Sequence, residues 1–387
     1  MLLICALLAA DYTQFRDTVV GEDVPSAFSI EDGTNVAWTA ALEGRGLSTP
    51  LVVGDRVFVT ASGGIDGERL MFFCFDDATG QRLWTRQFWA TGRTASHPKT
   101  ANAAPTPASD GERIFGFFSS GDLIAVDLDG NLQWVRGLQV DYPNASNSLG
   151  MSSSLAVADG VVVAMSEADA EAVSVGVDAV TGEDVWTRTD RPTAANWTSP
   201  VAVDLDGQSL VLLQSSKGLE AVGIADGETV WNYAEGASTI PSSALGEGIV
   251  VVPSDGLTAL SVATGEVEWK NSRVRPSTAS PIVRGDAVYV LNSSGVLIAL
   301  NAATGDDNWK LRLGGKYSAT PVASAEHLYF VDEEGTVRVV SSDGSDGEVV
   351  SEVELGERVL ATPAVRGDAL YVRSDSTLWK IAPSDAK

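Results

Sequence analysis

A short motif that recurs eight times is the feature that most constrains the fold of this chain. Each copy has a small residue, then Thr or Ser, then Pro or Ser, followed by an apolar residue. The copies are Ser48-Thr49-Pro50, Pro105-Thr106-Pro107, Ser152-Ser153-Ser154, Thr198-Ser199-Pro200, Pro241-Ser242-Ser243, Ala279-Ser280-Pro281, Ala319-Thr320-Pro321 and Ala361-Thr362-Pro363. Their third residues lie 38 to 57 positions apart. A repeat of about 40 residues is typical of β-propeller blades with four strands each.

A second motif lies between successive copies of the first and places a tryptophan at a fixed distance from a glycine. A Thr-Gly or Asp-Gly pair is followed, four residues after the Gly, by Trp84, Trp134, Trp186, Trp231, Trp269 or Trp309. Glycine suits turns that need a positive φ, so the pair predicts a hairpin turn and places the tryptophan on the fourth strand of each unit. The seventh unit has Asp346-Gly347, with Val349 or Val350 where tryptophan is expected.

The two ends of the chain contain complementary parts of one unit. The sixth unit shows four short strands, over 280–283, 287–291, 295–300 and 308–311, whereas the last unit has three strands and stops near Ile381. An isolated strand with a tryptophan, Trp38, lies near the start of the chain, over 35–40. This strand is expected to complete the last unit and leave no open sheet edge. The sequence therefore predicts an all-β fold: an eight-bladed β-propeller of four-stranded antiparallel blades.

The composition agrees with this fold and excludes one class of partner. Gly is abundant (38 residues), and no long segment has apolar residues at helical spacing. Asp and Glu total 52 against 26 Lys and Arg, which gives a formal net charge of −26. Because such a surface repels phosphate backbones and anionic lipid headgroups, nucleic acid is not expected as a partner.

The N-terminal residues, MLLICALLAA, are apolar and end in Ala-Ala like an export signal, although no basic residue precedes them. We interpret 1–10 as a signal-peptide remnant, 11–34 as an extension lying over the outer blades, and 35–382 as the propeller. No stretch reaches the roughly 20 apolar residues of a membrane-spanning helix. Export to the periplasm or cell envelope is expected; a lipid anchor at Cys5 and the true start of translation stay open. Cys74, in an apolar run, is expected to be buried.

The motifs resemble those of a known family. The run Asp178-Ala179-Val180-Thr181-Gly182-Glu183-Asp184-Val185-Trp186 matches the blade-docking motif of propellers with pyrroloquinoline-quinone-like (PQQ-like) repeats, and the segments 75–84 and 301–309 are close copies. The resemblance covers residues 35–382. In that family the tryptophan packs between neighbouring blades, which implies an architectural role for Trp38, Trp84, Trp134, Trp186, Trp231, Trp269 and Trp309.

The resemblance implies two classes of function. One branch of the family contains quinoprotein dehydrogenases, which carry adjacent cysteines, calcium ligands and a catalytic Asp on a longer chain. Another branch is BamB-like and acts by protein contact. This sequence has no adjacent cysteines, so we expect no catalytic residues and no bound cofactor or metal. The expected function is that of a monomeric binding or scaffold protein for a protein or envelope component. A PQQ-dependent enzyme that uses the central funnel is the alternative, and a purely architectural module is a third.

Other catalytic chemistry finds little support in the residues. His97, His327 and Cys74 are too few for a zinc site built on His and Cys. No nucleophile elbow, phosphate loop or zinc-protease motif is present. The run Asp204-Leu205-Asp206-Gly207 begins like a calcium loop but lacks the remaining ligand positions, so it is interpreted as a hairpin turn.

Four insertions interrupt the regular repeat and point to a binding surface. They span 62–68, 86–104, 137–151 and 167–171, and all are second-to-third or fourth-to-first connections, which antiparallel alternation places on one face. Loops on a rigid scaffold are where such folds carry function. The candidate contact residues are Trp89, Arg93, His97, Lys99, Asn102, Tyr142, Asn144 and Asn147. Arg93, His97 and Lys99 form a basic island that favours an anionic group on the partner. The alternative is that these loops only shield strand ends at the mouth of the funnel.

Overall fold

The computed structural model describes residues 10–16, 21, 23–342 and 346–383. Cys5 and nearly all of the proposed signal peptide therefore lie outside the described residues. The described chain forms eight antiparallel sheets of four strands each. The predicted eight-bladed propeller is confirmed. Within the described part of the chain, no helix is long and apolar enough to cross a membrane.

The strands follow one another blade by blade, with one short helix, α1 (Leu138–Asp141), between the second and third blades. The first strand of the chain, β1 (Val36–Ala41), belongs to the last blade. Blade 1 consists of β2 (Leu51–Val53), β3 (Arg56–Gly63), β4 (Arg69–Asp76) and β5 (Arg82–Trp89), and blade 2 of β6 (Ala108–Ser109), β7 (Arg113–Phe117), β8 (Asp122–Asp127) and β9 (Leu132–Gly137). Blade 3 consists of β10 (Ala156–Ala158), β11 (Val161–Glu167), β12 (Ala172–Asp178) and β13 (Asp184–Arg188), and blade 4 of β14 (Val201–Leu205), β15 (Gln208–Ser215), β16 (Gly218–Gly223) and β17 (Thr229–Tyr233).

The remaining four blades continue the same pattern. Blade 5 consists of β18 (Ala244–Leu245), β19 (Ile249–Ser254), β20 (Gly256–Ser261) and β21 (Val267–Asn271), and blade 6 of β22 (Ile282–Arg284), β23 (Ala287–Leu291), β24 (Val296–Asn301) and β25 (Asp307–Arg312). Blade 7 consists of β26 (Val322–Ala323), β27 (His327–Val331), β28 (Thr336–Ser342) and β29 (Gly347–Glu354), and blade 8 of β30 (Ala364–Arg366), β31 (Ala369–Arg373), β32 (Thr377–Ile381) and β1. The strand β1 pairs antiparallel with β32, with Thr39 opposite Trp379, so the N-terminal strand closes the ring as predicted.

The burial of each strand follows from its position in the blade. First strands of neighbouring blades contact one another, which places them around the central channel. Second and third strands, such as β11 and β12, are buried on both faces because a blade packs on each side, and most of their residues are apolar. Fourth strands lie at the rim, and β5 alternates between exposed and half-buried residues. The core thus lies between blades, and Cys74 on β4 is fully buried within it, which raises the pKa of its thiol to about 12.

The tryptophans of the second motif lie between blades. The indole N–H groups of Trp38, Trp84, Trp134, Trp186, Trp231 and Trp269 each donate to a backbone carbonyl of the next blade, at 2.7–3.0 Å. Each ring also covers the turn glycine of that blade. A Cβ at Gly265 would lie 2.5 Å from the Trp231 ring, so only glycine fits this close approach at positive φ.

The seventh blade lacks this tryptophan for a structural reason. Strand pairing places Ser351, opposite Val339, where the other blades have tryptophan, so the expectation of Val349 or Val350 at this position was wrong by one or two residues. A tryptophan here would have to dock on the third-to-fourth turn of blade 8. That turn does not exist, because the fourth strand of blade 8 is β1 from the other end of the chain.

The first motif forms a belt of hydrogen bonds around the channel. In each link the backbone N–H of one blade's motif donates to a hydroxyl of the next blade, at 2.9–3.2 Å. The links are Thr49 to Thr106, Thr106 to Ser154, Ser154 to Ser199, Ser199 to Ser242, Ser242 to Ser280, Ser280 to Thr320, and Thr320 to Thr362. In blade 3 the hydroxyl is that of Ser154, one residue later than the alignment of the repeats had placed it. The Thr/Ser of the motif thus joins neighbouring blades.

The seam between blades 8 and 1 is held differently. The Thr49 hydroxyl is buried there without a hydrogen-bond partner among the described residues. The fully buried Arg373 crosses the seam instead, and its Nη1 donates to the Thr60 carbonyl (2.6 Å) and the Ser48 hydroxyl (3.2 Å) of blade 1. Burial lowers the pKa of Arg373 to about 10.

The first described residues of the N-terminal extension, 11–16, lie at the channel and not over the outer blades as the sequence suggested, whereas Val24 and Phe28 pack against blades 7 and 8. Tyr12 forms an antiparallel bridge with Val52 on the first strand of blade 1. The Thr13 carbonyl and the Gln14 side chain accept backbone N–H groups from the first strands of blades 2 and 3. Arg16 reaches carbonyls in blades 5 and 6. Residues 11–16 therefore cross the ring at the channel, beside the hairpins between first and second strands.

Candidate binding face and central channel

The four insertions meet on one face of the ring, which we call the loop face. The backbone N–H of Ala90 donates to the Glu68 carbonyl (2.9 Å) and that of His97 to the Leu149 carbonyl (2.8 Å). The N–H of Asn144 donates to the Glu171 carboxylate at 3.1 Å. These contacts join all four connections over blades 1–3, as antiparallel alternation predicts.

Buried polar side chains hold the loops of this face in place. The carboxylate of Asp122, fully buried at the start of β8, accepts the hydroxyl of Thr91 (2.6 Å) and its backbone N–H. The side chain of Gln139 on α1 accepts the N–H of Arg93 (3.1 Å) and donates to the Ser119 carbonyl (2.9 Å). A loop tied at successive residues in this way presents its exposed side chains in one arrangement.

Two of the eight candidate contact residues are anchors of this kind. Asn102 is buried: its Oδ1 accepts the N–H of Ser120 (2.8 Å), and its Nδ2 donates to the Gly67 carbonyl (3.0 Å). Asn147 is also buried, and its Oδ1 accepts the N–H of Leu149. Side chains that are buried and hydrogen-bonded within the protein offer little surface to a partner. These two asparagines therefore hold the loops in position and do not contact a partner directly.

The other candidates reach the surface. Tyr142 is half-buried against the core between blades 2 and 3. The remaining five are exposed: Trp89, Arg93, His97, Lys99 and Asn144. The Lys99 ammonium pairs with the Glu333 carboxylate at 2.6 Å, while Arg93 forms no salt bridge with a described residue. Of the basic residues predicted from sequence, Lys99 is therefore paired within the protein, whereas Arg93 keeps an exposed charge.

The pair between Lys99 and Glu333 spans the mouth of the channel. It joins the loop after blade 1 to the turn between β27 and β28 in blade 7. The Ser318 hydroxyl donates to the same carboxylate oxygen at 2.8 Å. These two hydrogen bonds lower the pKa of Glu333, although its burial acts in the opposite direction as the largest single influence. No local sequence pattern indicates this contact, because the two residues are 234 positions apart.

Exposed apolar side chains lie on the loops; Trp89 was among the residues predicted from sequence, whereas Ile65 and Val140 were not. Ile65 is 98% exposed, and Trp89 and Val140 are each 64% exposed. The Ala90–Glu68 hydrogen bond connects the segment after Trp89 to the Ile65 loop, and Thr91 lies beside Gly137, where Val140 also packs. An exposed tryptophan with aliphatic residues on adjoining loops is typical of interaction surfaces.

A funnel opens below this face toward the channel. Its cavity of about 350 Å³ is walled by Leu149, Trp197, Ile240 and Leu360 and by the hydroxyls of the belt. The Trp197 indole donates to the Gly150 carbonyl at 2.8 Å, which fixes the ring at the wall. Phe15 of the N-terminal segment lines this cavity and also a second cavity on the opposite face, so its ring lies between the two.

A buried ionic cluster joins blades 3 and 4 beneath the loop face. Arg191 donates to the Glu167 carboxylate through Nε and to the Glu220 carboxylate through Nη1, both at 2.7 Å. The side chains of Arg191 and Glu167 are each 1% exposed. Asn196 donates to the second Glu167 oxygen at 2.8 Å. Burial is the largest influence on Glu167 and raises its pKa, against the opposing effect of Arg191.

The residues that the sequence analysis considered for metal chemistry lie apart from one another in ordinary structural settings. Among the described residues no group of three His, Cys, Asp or Glu side chains is arranged to hold a metal ion. Cys74 is buried in a strand and has no cysteine neighbour in the sequence. The Asp204 carboxylate accepts the N–H of Gly207 (3.0 Å) in the β14–β15 turn, as in an ordinary hairpin. His327 donates its backbone N–H to the Ser324 hydroxyl at the start of β27.

Comparison with known proteins agrees with the eight closed blades. The family model of outer membrane protein assembly factor BamB matches residues 16–150, 144–245, 234–333 and 309–387. The chain belongs to this family. No curated protein matches it by sequence. Among solved structures, BamB from Moraxella catarrhalis is similar over 91% of this chain and 98% of its own, with 19% identity and a TM-score of 0.66.

Quinoprotein enzymes share the same fold. A europium-containing methanol dehydrogenase is similar over 90% of this chain and 93% of its own, with 12% identity and a TM-score of 0.67. The quinohemoprotein alcohol dehydrogenase from Comamonas testosteroni is similar over 91% of this chain and 77% of its own, with 14% identity and a TM-score of 0.67. At these identities the likeness concerns the fold, and function must be argued from the site.

Proposed function

We propose that this chain is an exported, non-catalytic binding propeller whose loop face holds a protein partner of the cell envelope. The observation that carries the proposal is the set of exposed apolar residues, Ile65, Trp89 and Val140, on loops that are tied down by buried polar side chains. Burying a tryptophan and two aliphatic side chains would contribute several kcal/mol to association, at about 25 cal/mol per Å² of apolar surface. Prearranged loops reduce the entropy that binding must overcome.

The charges of the face favour a partner with acidic groups beside its apolar contacts. Arg93 is exposed, and among the described residues its guanidinium forms no salt bridge, whereas Lys99 is engaged by Glu333. On a chain with a net charge of −26, an exposed arginine without a salt bridge to a described residue favours contact with an acidic group of a partner. Electrostatic complementarity of this kind contributes to the rate and orientation of association.

The non-catalytic part of the proposal is supported by the sequence, which has no adjacent cysteines, and by the described His, Cys, Asp and Glu side chains, which form no group of three that could hold a metal ion. The envelope location is supported by the family description, which names an outer membrane assembly factor, and by the apolar leader that ends in Ala-Ala. Both parts remain open to direct test.

The test is site-specific photocrosslinking in cells that naturally produce the protein. A photoreactive amino acid replaces Ile65 or Val140 on the loop face, and Val180 is the control, because it is 60% exposed in a turn on the opposite face. We expect one discrete envelope-protein adduct from Ile65 and Val140, lost on Trp89→Ser, and none from Val180. Equal adducts at Val180, or none at either loop position, would refute the proposal.

A further inference from the structure

A second cavity, of about 400 Å³, lies on the face opposite the loop face. It is bounded by the first strands of blades 4–8 and roofed by the N-terminal segment, with Phe15 separating it from the funnel. Its walls include the aliphatic residues Val201, Ile282 and Val283, and one acidic residue, Glu247. The cavity plays no part in the proposed protein-binding face.

Arg16 from the N-terminal segment enters this cavity. Its Nη1 donates to the Ser243 carbonyl (2.6 Å) and its Nη2 to the Pro281 carbonyl (3.1 Å). Its Nε is buried and has no hydrogen-bond acceptor among the described residues. No described carboxylate lies within salt-bridge distance. Burial lowers the pKa of Arg16 to about 10, so the guanidinium stays charged at neutral pH.

A second arginine with the same properties lines the cavity. Arg284 ends β22, and its Nη2 donates to the Ala325 carbonyl of blade 7. Its Nη1 is buried without an acceptor among the described residues, and Arg284 forms no salt bridge with any of them. Burial lowers the pKa of this side chain as well.

The hydrogen bonds of these two partly desolvated guanidinium groups go only to backbone carbonyls, and neither group forms a salt bridge with a described carboxylate, Glu247 on the cavity wall included. A buried charge is costly unless an opposite charge and hydrogen-bond acceptors meet it. The missing acceptors are those that a carboxylate or phosphate group provides, because the planar guanidinium matches two oxygens at once. The chain has twice as many acidic as basic residues, 52 against 26, yet none of the described acidic groups pairs with either arginine.

We propose that this cavity is a binding site for a small organic anion, whose carboxylate or phosphate group is held by Arg16 and Arg284 while its apolar body lies against the aliphatic walls. Because Arg16 belongs to the N-terminal segment and Arg284 to blade 6, the ligand would join the segment to the ring. Binding is therefore expected to stabilise the protein against thermal unfolding in proportion to ligand concentration.

The test uses the purified full chain with defined probes: benzoate, phenyl phosphate, inorganic phosphate and, as the matched cation, benzylamine. Isothermal titration and thermal unfolding are measured for each. We expect benzoate or phenyl phosphate to bind with a dissociation constant below about 1 mM and benzylamine not to bind. A preference for phenyl phosphate or for benzoate would identify the anionic group, and weaker binding of inorganic phosphate would show the contribution of the apolar walls.

Variants of the two arginines distinguish a loss of ligand binding from a loss of folding. Arg284→Gln and Arg284→Lys leave the N-terminal segment unchanged, and Arg16→Gln tests the second cation. We expect each to weaken binding at least about tenfold, whereas Arg93→Gln on the loop face leaves it unchanged. Should Arg16→Gln fold poorly, the Arg284 variants still decide the result. Unchanged affinity in Arg284→Gln, equal binding of benzylamine, or no binding of any anion up to about 10 mM would overturn the proposal. None of these results bears on the crosslinking experiment, which reports on the opposite face.

Discussion

The hydrogen-bond belt allows two chemically identical substitutions with opposite expected results. Thr106→Val removes the hydroxyl that accepts the backbone N–H of Thr49 at 2.9 Å, and both residues are buried. The N–H is then left without an acceptor, which costs about 1–3 kcal/mol. Thr49→Val removes a buried hydroxyl that has no hydrogen-bond partner among the described residues, so the stability of this variant is expected to equal or exceed that of the wild type.

The change in stability caused by each substitution can be measured by thermal or urea unfolding. With about 2.1 cal/mol/K of unfolding entropy per residue, a chain of this length has roughly 0.8 kcal/mol/K in total, so a loss of about 2 kcal/mol lowers Tm by roughly 2–3 °C. The two variants occupy the same position in consecutive blades and remove the same atom, so each is the control for the other. Equal losses, or a larger loss in Thr49→Val, would show that the belt does not contribute to stability as its geometry implies.

Three further results are expected. Arg191→Met leaves the buried Glu167 without its ion partner and should lower the free energy of unfolding by about 3–5 kcal/mol, measured in urea, with Arg93→Met as an exposed control that changes little. The pKa of Asp178 lies below its usual value, chiefly because its carboxylate accepts the Thr181 N–H, so its stabilising effect is present above about pH 4 and lost as pH falls through the folded-state pKa. Asp178→Asn should therefore be slightly less stable than the wild type at pH 7, and the difference should disappear as pH falls through the folded-state pKa of Asp178; a difference that grows in acid would contradict this assignment. Titration with PQQ and calcium should give no saturable quenching of tryptophan fluorescence, and saturable quenching at micromolar concentration would instead support the dehydrogenase alternative.

The repeat motifs predicted the architecture because they record local requirements. Alternating and continuous apolar runs specify strands, and the Gly of a Thr-Gly pair such as Gly265 is favoured by the positive φ of its own hairpin turn. The isolated strand around Trp38 and the incomplete last unit together predicted ring closure, which the pairing of β1 with β32 confirms. Each of these features can be predicted from residues that are close in the sequence or from the number of strands in a unit.

Errors arose where an assignment depended on a neighbouring blade. Ser351 occupies the tryptophan position of blade 7 because it pairs with Val339. Blade 7 has no tryptophan at this position because blade 8 has no third-to-fourth turn on which the indole could dock. Ser154 replaced Ser153 in the belt because the hydroxyl must reach the N–H of Thr106. Asn102 was grouped with surface contacts by its place in an insertion, although its hydrogen bonds bury it.

By itself the sequence determined the fold class, the number of blades, the closing strand and the face on which the insertions gather. Only the tertiary structure decided which side chains meet at the channel. Lys99 pairs with Glu333 across 234 residues, and Arg16 reaches the Pro281 carbonyl across 265. The physical reason is that strand and turn formation depend on a few adjacent residues, which the repeat displays eight times. Contacts across the channel exist only after all eight blades have closed, and no local pattern records them.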